Sequence, residues 1–244
     1  MKKSHSSDHV SSRVEEIVAR LLKMADGKSA AGMSRVGIDP ARALGVKVPG
    51  LRALGKEIGT DHELALALWK RGLRETMILA SLVADPKQTT GELMESWASD
   101  FYDWEVCDQT CMNLFEKPPL REHVYSLARQ WSERAEEFVK RAGFVLMARL
   151  AVSDKKAPDD AFSPFFEDIV REASDERNMV KKGINWALRQ IGKRNLSLRD
   201  RAVETANTLR ERDSSAARWI AADALRELNS KAVVERLKEK EKRK

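Results

Sequence analysis

The feature that most constrains this chain is a helix-sized apolar pattern that recurs along most of its 244 residues. Segments with apolar side chains at i, i+3, i+4 and i+7 follow one another with connections of only a few residues. Short connections force neighbouring helices to run antiparallel. Four segments share one frame: Arg74-Glu75-Thr76-Met77-Ile78-Leu79-Ala80, Arg141-Ala142-Gly143-Phe144-Val145-Leu146-Met147, Lys182-Gly183-Ile184-Asn185-Trp186-Ala187-Leu188 and Arg218-Trp219-Ile220-Ala221-Ala222-Asp223-Ala224. With Trp104 added, the equivalent positions Arg74, Trp104, Arg141, Lys182 and Arg218 lie roughly 30 to 41 residues apart.

A period of this size is the signature of stacked helical repeats, because one helix pair cannot bury its apolar face alone. The tetratricopeptide and ankyrin patterns are absent, which leaves an all-α, curved solenoid of about six HEAT-like antiparallel helix pairs. The pattern predicts helices over 10–24, 61–71, 102–115, 120–132, 134–152, 159–173, 175–193, 197–211 and 214–228. Pro49 starts another helix, Leu73 opens one that runs through Leu82, and Thr89 or Thr90 begins one ending at Ser99. Asp61, Ser197 and Asp213 or Ser214 are the predicted caps of their helices, and Pro118-Pro119 the predicted stop of another. Residues 27–49, rich in Gly, Ala and Pro, read as irregular connections with short helices. The expected organisation is a disordered stretch over 1–8, one repeat body over 9–230 and a basic tail over 231–244.

Scarce β-branched alternation argues against a sheet. No run of about 18 apolar residues spans a membrane, and the polar start lacks the apolar core of a secretion signal. Two cysteines, Cys107 and Cys111, do not make a disulfide framework, so the expected compartment is reducing and cytoplasmic. The net charge of +6 permits a nucleic-acid partner without demonstrating one. Much of the excess lies in Lys231–Lys244, whose simplest reading is a solvated helix end.

In a helical solenoid the second helices of the pairs stand side by side, so equivalent positions point into one groove. Here those positions read basic, Trp, basic, basic, basic. Lys140, Lys181 and Arg189 add charge beside them, and Lys182, Trp186 and Arg189 share a helix face. Such a stripe suits a phosphate backbone, and it equally suits an ordinary charged helix surface. Trp69, Trp97, Trp131 and Trp219 are assigned to packing. Trp104 and Trp186 are either packing residues or site residues, and Asp108, one turn after Trp104, is either an exposed helix residue or a functional carboxylate. Phosphate-loop, HExxH and nucleophile-elbow motifs are absent.

At these residues the chain resembles the AlkD-like DNA alkylation repair proteins, HEAT-like glycosylases acting on alkylated purines. The resemblance covers about Gly32 to Leu228. Trp104-Glu105-Val106-Cys107-Asp108 resembles the family's Trp-Asp-x-x-Asp helix, and Phe138-Val139-Lys140-Arg141-Ala142 its double-basic helix. Lys181-Lys182-Gly183-Ile184-Asn185-Trp186-Ala187-Leu188-Arg189 is similar to its Lys-Ala-x-x-Trp-x-Leu-Arg helix, and Asp-Glu-Arg-Asn at 175–178 strengthens the match. Glu105 stands where the motif often has Asp, and the aromatic residues often found near the family's N-terminal repeat are absent around 33–38.

The resemblance implies a catalytic set of Asp108, Trp104, Trp186 and Arg141. It also implies hydrolysis of the N-glycosidic bond of 7-methylguanine and 3-methyladenine in double-stranded DNA, without flipping the lesion into a tight pocket. Lys140, Lys181, Lys182, Arg189, Arg218 and Arg74 are the expected DNA-binding residues. A purine that already carries a positive charge leaves readily, so the demanding part is the oxocarbenium-like sugar. An Asp, with an ordinary pKa near 3.9, is ionised at neutral pH and can stabilise that cation. Indole faces add cation–π attraction of roughly 0.5–2 kcal/mol each, and an arginine can grip a flanking phosphate. This chemistry needs no metal and no organic cofactor, and the chain is expected to act as a monomer. The alternatives are a DNA-structure binder without catalysis and a protein-interaction scaffold.

Overall fold

A computed structural model describes residues 2–117, 119 and 121–243, and the side chains of all of these except 2–8, 121 and 122. Among the described residues there is no strand, and no helix is long and apolar enough to cross a membrane. The chain divides into two compact units, Met1–Pro119 and Leu120–Lys244.

The first unit contains α1 (Lys2–Lys23), α2 (Gly27–Met33), α3 (Val48–Ile58), α4 (His62–Trp69), α5 (Arg74–Val83), α6 (Gly91–Ser99) and α7 (Trp104–Thr110). The first helix begins well before Val10, so the backbone from residue 2 is helical where disorder is expected. Polar side chains set the starts. Asp61 accepts from the Leu64 N–H at 3.0 Å and Thr90 from the Leu93 N–H at 3.2 Å. Each satisfies a donor that the helix itself cannot, an effect of about 1 kcal/mol. Pro49 sits in the first turn of α3, where no N–H is needed. Helices α3, α5 and α7 form a row, with α4 against α5 and α1 against α4. Val14, Ile17 and Leu21 of α1 are buried, each contributing on the order of 1.5–3 kcal/mol. The Trp69 and Trp97 rings stack at 4.0 Å, and both are buried.

The second unit contains α8 (Arg121–Ser132), α9 (Glu137–Ser153), α10 (Ser163–Glu172), α11 (Asn178–Gly192), α12 (Leu196–Arg210), α13 (Ser215–Leu228) and α14 (Lys231–Lys242). Helices α9, α11 and α13 form a row, and α8 and α12 pack on their partners α9 and α13. Glycines let the backbones approach. A Cβ on Gly143 would stand 2.5 Å from the Ser132 nitrogen and 2.7 Å from the Ala128 carbonyl, so α8 and α9 touch at that point. Asn195, not Ser197, caps α12 by accepting from the Leu198 N–H at 2.8 Å, while Ser214 caps α13. The expected tail is a packed helix: Ser230 caps α14, and Val233 and Leu237 bury one turn apart. Those two apolar residues at i and i+4 give the stretch a face to dock, which its charge content conceals. The predicted stop at Pro118 lies outside the described residues.

Candidate functional site

The five repeat positions all fall early in their helices, but not in one register. Arg74 and Trp104 are the first residues of α5 and α7, Arg141 and Lys182 the fifth of α9 and α11, and Arg218 the fourth of α13. Burial separates them: Arg74 and Arg141 are buried, Trp104 is partly exposed, and Lys182 and Arg218 are exposed.

In the first unit, α7 carries Trp104 and Asp108 one turn apart. Asp103 sets its start: fully buried, it accepts from the Glu105 and Val106 N–H groups, both at 2.8 Å. Burial pushes its carboxyl above the ordinary range, against the pull of those two donors. The Trp104 indole is partly exposed, and its Nε1 donates to the Val36 carbonyl at 2.8 Å. Arg42 lies over the Tyr102 ring at 3.5 Å. The segment from Val36 to Arg42 is thereby tied to the start of α7. Asp108 is buried, at 6% exposure, and not an exposed helix residue. Beyond it the backbone widens into a π-helical stretch, Cys111–Phe115, a form enriched at functional sites. Cys107 and Cys111 are buried, and no disulfide joins them.

Arg74 is buried where the sequence reading expects an exposed DNA contact. It is 2% exposed, and its guanidinium donates to Glu105 Oε2 at 2.8 Å, Glu75 Oε1 at 2.7 Å and the Val46 carbonyl at 3.0 Å. Burial disfavours its charge, but the Glu105 and Glu75 carboxylates more than offset this and hold its pKa above the ordinary value. Glu75 in turn accepts from the Leu44 and Val46 N–H groups. The cation is therefore a buried strut between α5, the loop before α3, and α7.

In the second unit, Lys140 is likewise buried where the sequence reading expects an exposed DNA contact. It is 8% exposed, with Nζ 2.6 Å from Glu172 and 3.5 Å from Asp175. Arg189 pairs with Asp223 at 3.1 Å and Glu227 at 2.7 Å, so its charge is compensated within the protein. Arg141, 6% exposed, donates from Nη1 to the Met179 carbonyl at 2.5 Å, and its Cγ lies 3.5 Å from where a Cβ on Gly183 would be. It braces the first turn of α11 and does not stand out as an open phosphate clamp. Three cations keep an outward position: Lys182 and Arg218 are exposed, and Lys181 lies 5.6 Å over the Trp219 ring. Trp186 is partly exposed between Lys182 and Arg189 along the outward stripe of α11.

Sequence reasoning missed three features. Trp219, assigned to packing, is 40% exposed beneath Lys181. Asp103, the buried cap of α7, was not singled out, because the sequence reading starts that helix at Tyr102. The Asp175-Glu176-Arg177 turn is a hub: Asp175 reaches Lys140, Glu176 accepts from the Ala216 N–H at 3.0 Å and the Ser215 hydroxyl at 2.7 Å, and Arg177 donates to the Ala135 carbonyl at 2.6 Å. Its three charged residues in a row were a visible signal, but their targets lie far off in sequence. Among the described residues no three His, Cys, Asp or Glu side chains are grouped to hold a metal.

The model of the family described as "DNA alkylation repair enzyme" matches residues 17–228. A comparison with curated proteins finds no match. Among solved structures the chain is similar to one described as belonging to "a new family of proteins related to the HEAT-like repeat DNA glycosylases with affinity for branched DNA structures". The identity is 20%, the likeness covers 87% of this chain and 94% of that one, and the TM-score is 0.68. At that identity the likeness establishes the HEAT-like fold.

Proposed function

The chain belongs to the DNA alkylation repair enzyme family, and from that premise we propose that it is a monomeric DNA glycosylase that releases cationic alkylated purines, 7-methylguanine and 3-methyladenine, from duplex DNA. The observation that carries this reading is α7, where a buried cap fixes an Asp one turn after a partly exposed indole. Roles are assigned residue by residue. Asp108 supplies the negative charge that stabilises the oxocarbenium-like sugar and orients the attacking water. Trp104 and Trp186 offer indole faces to cationic groups. Arg141 acts as a positioning residue through the first turn of α11. Lys181, Lys182 and Arg218 contact phosphates.

In the reaction the C1′–N bond breaks with its electron pair moving to the purine, which neutralises the base. Water adds to C1′ and releases its proton to Asp108 or to solvent. A purine without the extra charge leaves far more slowly, so a site that only stabilises the sugar spares normal DNA.

The test is base release from methylated duplex by wild type and Asp108→Asn, with DNA affinity measured alongside. The variant is expected to lose on the order of a hundredfold or more in rate while its affinity stays close to wild type. Equal, slow release by both proteins ends the enzymatic reading. A second reading, a DNA-structure binder without catalysis, draws support from the branched-DNA affinity described for the solved relative. Steeply salt-dependent binding with no release from any alkylated substrate selects it.

A further inference from the structure

The outward stripe of α11 does not end at Trp186. Lys182, Trp186, Arg189 and Lys193 stand at i, i+4, i+7 and i+11, on one side of the helix. At its far end lies a cavity of about 520 Å³, formed wholly within the second unit where the ends of α9 and α11 meet α14. Five cations line it, Lys155, Lys193, Arg194, Arg236 and Lys240, against one carboxylate, Asp159.

Part of that charge is already committed. Arg194 donates to the carbonyls of Ala151 and Asp154, both at 2.8 Å, and of Ala157 at 3.0 Å. These carbonyls close the end of α9, and the guanidinium offsets the partial negative charge there. Lys240 donates to the Arg194 carbonyl at 2.7 Å, just beyond α11. Lys193 pairs with Glu227 at 2.6 Å. Asp159 accepts from the Asn195 amide at 2.7 Å. Lys155 and Arg236 are different: both are exposed, and among the described residues neither side chain has a hydrogen bond or ion pair. Gln190 adds an amide to the lining. The positive excess over the helix ends is thus concentrated on two side chains that flank the cavity.

We propose that this cavity is a phosphate seat, filled by the backbone of the DNA that lies over Trp186. The source of the phosphate rests on the DNA-binding reading above; the anion chemistry of the seat does not. Trp186 and Lys193 are separated by about 10 Å along the helix axis, less than the roughly 12 Å width of a major groove, so one duplex reaches both. The guanidinium of Arg236 matches two phosphate oxygens, and Lys155 adds a point charge. The C-terminal helix has a stated job on this account. Val233 and Leu237 dock it, and Arg236 and Lys240, also one turn apart, line the cavity.

The experiment is a salt titration of duplex binding by anisotropy for wild type, Lys155→Ala/Arg236→Ala and Lys182→Ala, with pyrophosphate-induced shifts in melting temperature as a second arm. Circular dichroism checks that the variants fold, which is expected because the replaced side chains are exposed. Loss of one phosphate contact in the double variant lowers the slope of log K against log salt by about 0.9, Arg236→Lys restores part of the affinity, and pyrophosphate stabilises wild type but not the double variant. If wild type and double variant share one slope and one affinity while Lys182→Ala weakens binding, the backbone does not use the seat and the proposal is overturned, with the DNA reading intact. If wild type binds no DNA, that reading fails. The pyrophosphate arm then decides the rest: a shift abolished in the double variant keeps an anion seat for a free polyphosphate, and no shift overturns the seat as well.

Discussion

Replacing Arg74 with Ala separates a buried strut from a DNA contact. The side chain is 2% exposed and holds two carboxylates, of which Glu75 is fully buried. Removing one member of a buried ion pair strands the other, and costs about 3–5 kcal/mol. That is a large part of the roughly 5–15 kcal/mol by which folded proteins are stable. For a chain of this length each kcal/mol moves the melting temperature by about 2–4 °C, so the expected drop is about 6–20 °C, read by calorimetry and by the urea midpoint. Glu105 follows Trp104 directly, so loosening it also disturbs the α7 site, and base release falls below the transition too. The salt slope of DNA binding stays at the wild-type value, because no phosphate contact is lost. Arg74→Met/Glu75→Gln recovers part of the stability, since the double change strands less charge. A variant with wild-type melting temperature and a salt slope reduced by about 0.9 would place Arg74 on the phosphate backbone and refute the buried-strut argument.

Two further outcomes follow from packing and titration. Gly143→Ala drives a Cβ into the α8 backbone and lowers the urea midpoint by an amount equivalent to about 1–3 kcal/mol, whereas Gly32→Ala in α2, where a Cβ meets nothing within 4 Å, is neutral or stabilising by up to about 1 kcal/mol; equal effects would show that close approach does not decide these sites. In the second unit, hydrogen bonds from Ser215 and the Ala216 N–H hold Glu176 below the usual carboxylate range, and for Asp175 and Glu227 burial opposes the same shift but Arg177 in one case and Lys193 with Arg189 in the other prevail. A depressed folded pKa means that the unfolded state takes up protons first as the solution is acidified. The stabilisation is therefore complete above the ordinary values near 4 and is lost as pH falls through the folded ones. Glu176→Gln flattens that acid dependence in a series of urea melts from pH 6 to pH 3, and an unchanged profile would show that the α13 cap does not titrate.

Sequence alone determined most of the helices, three of their caps and the pairing of neighbours, because apolar periodicity, Asp61, Thr90 and Ser214, and short connections are local quantities. It also located α7 and α11 as the segments that matter, through Trp104, Asp108 and Trp186. It could not determine which cations face outward. Arg74, Lys140, Lys182 and Arg218 look alike as letters, yet two are buried against carboxylates and two are exposed, Arg218 beside Asp213 just before its own helix. Burial of a side chain depends on which helix packs across it, and those partners, such as Glu105 for Arg74 and Glu172 for Lys140, stand about 30 residues away. The same holds for Trp219, left exposed under Lys181, and for the C-terminal helix, where two apolar residues among many charges were enough to dock it once α12 and α13 offered a surface. Tertiary packing decided these cases because hydrogen bonds and desolvation act between neighbours in space, and a one-dimensional frame records only neighbours in order.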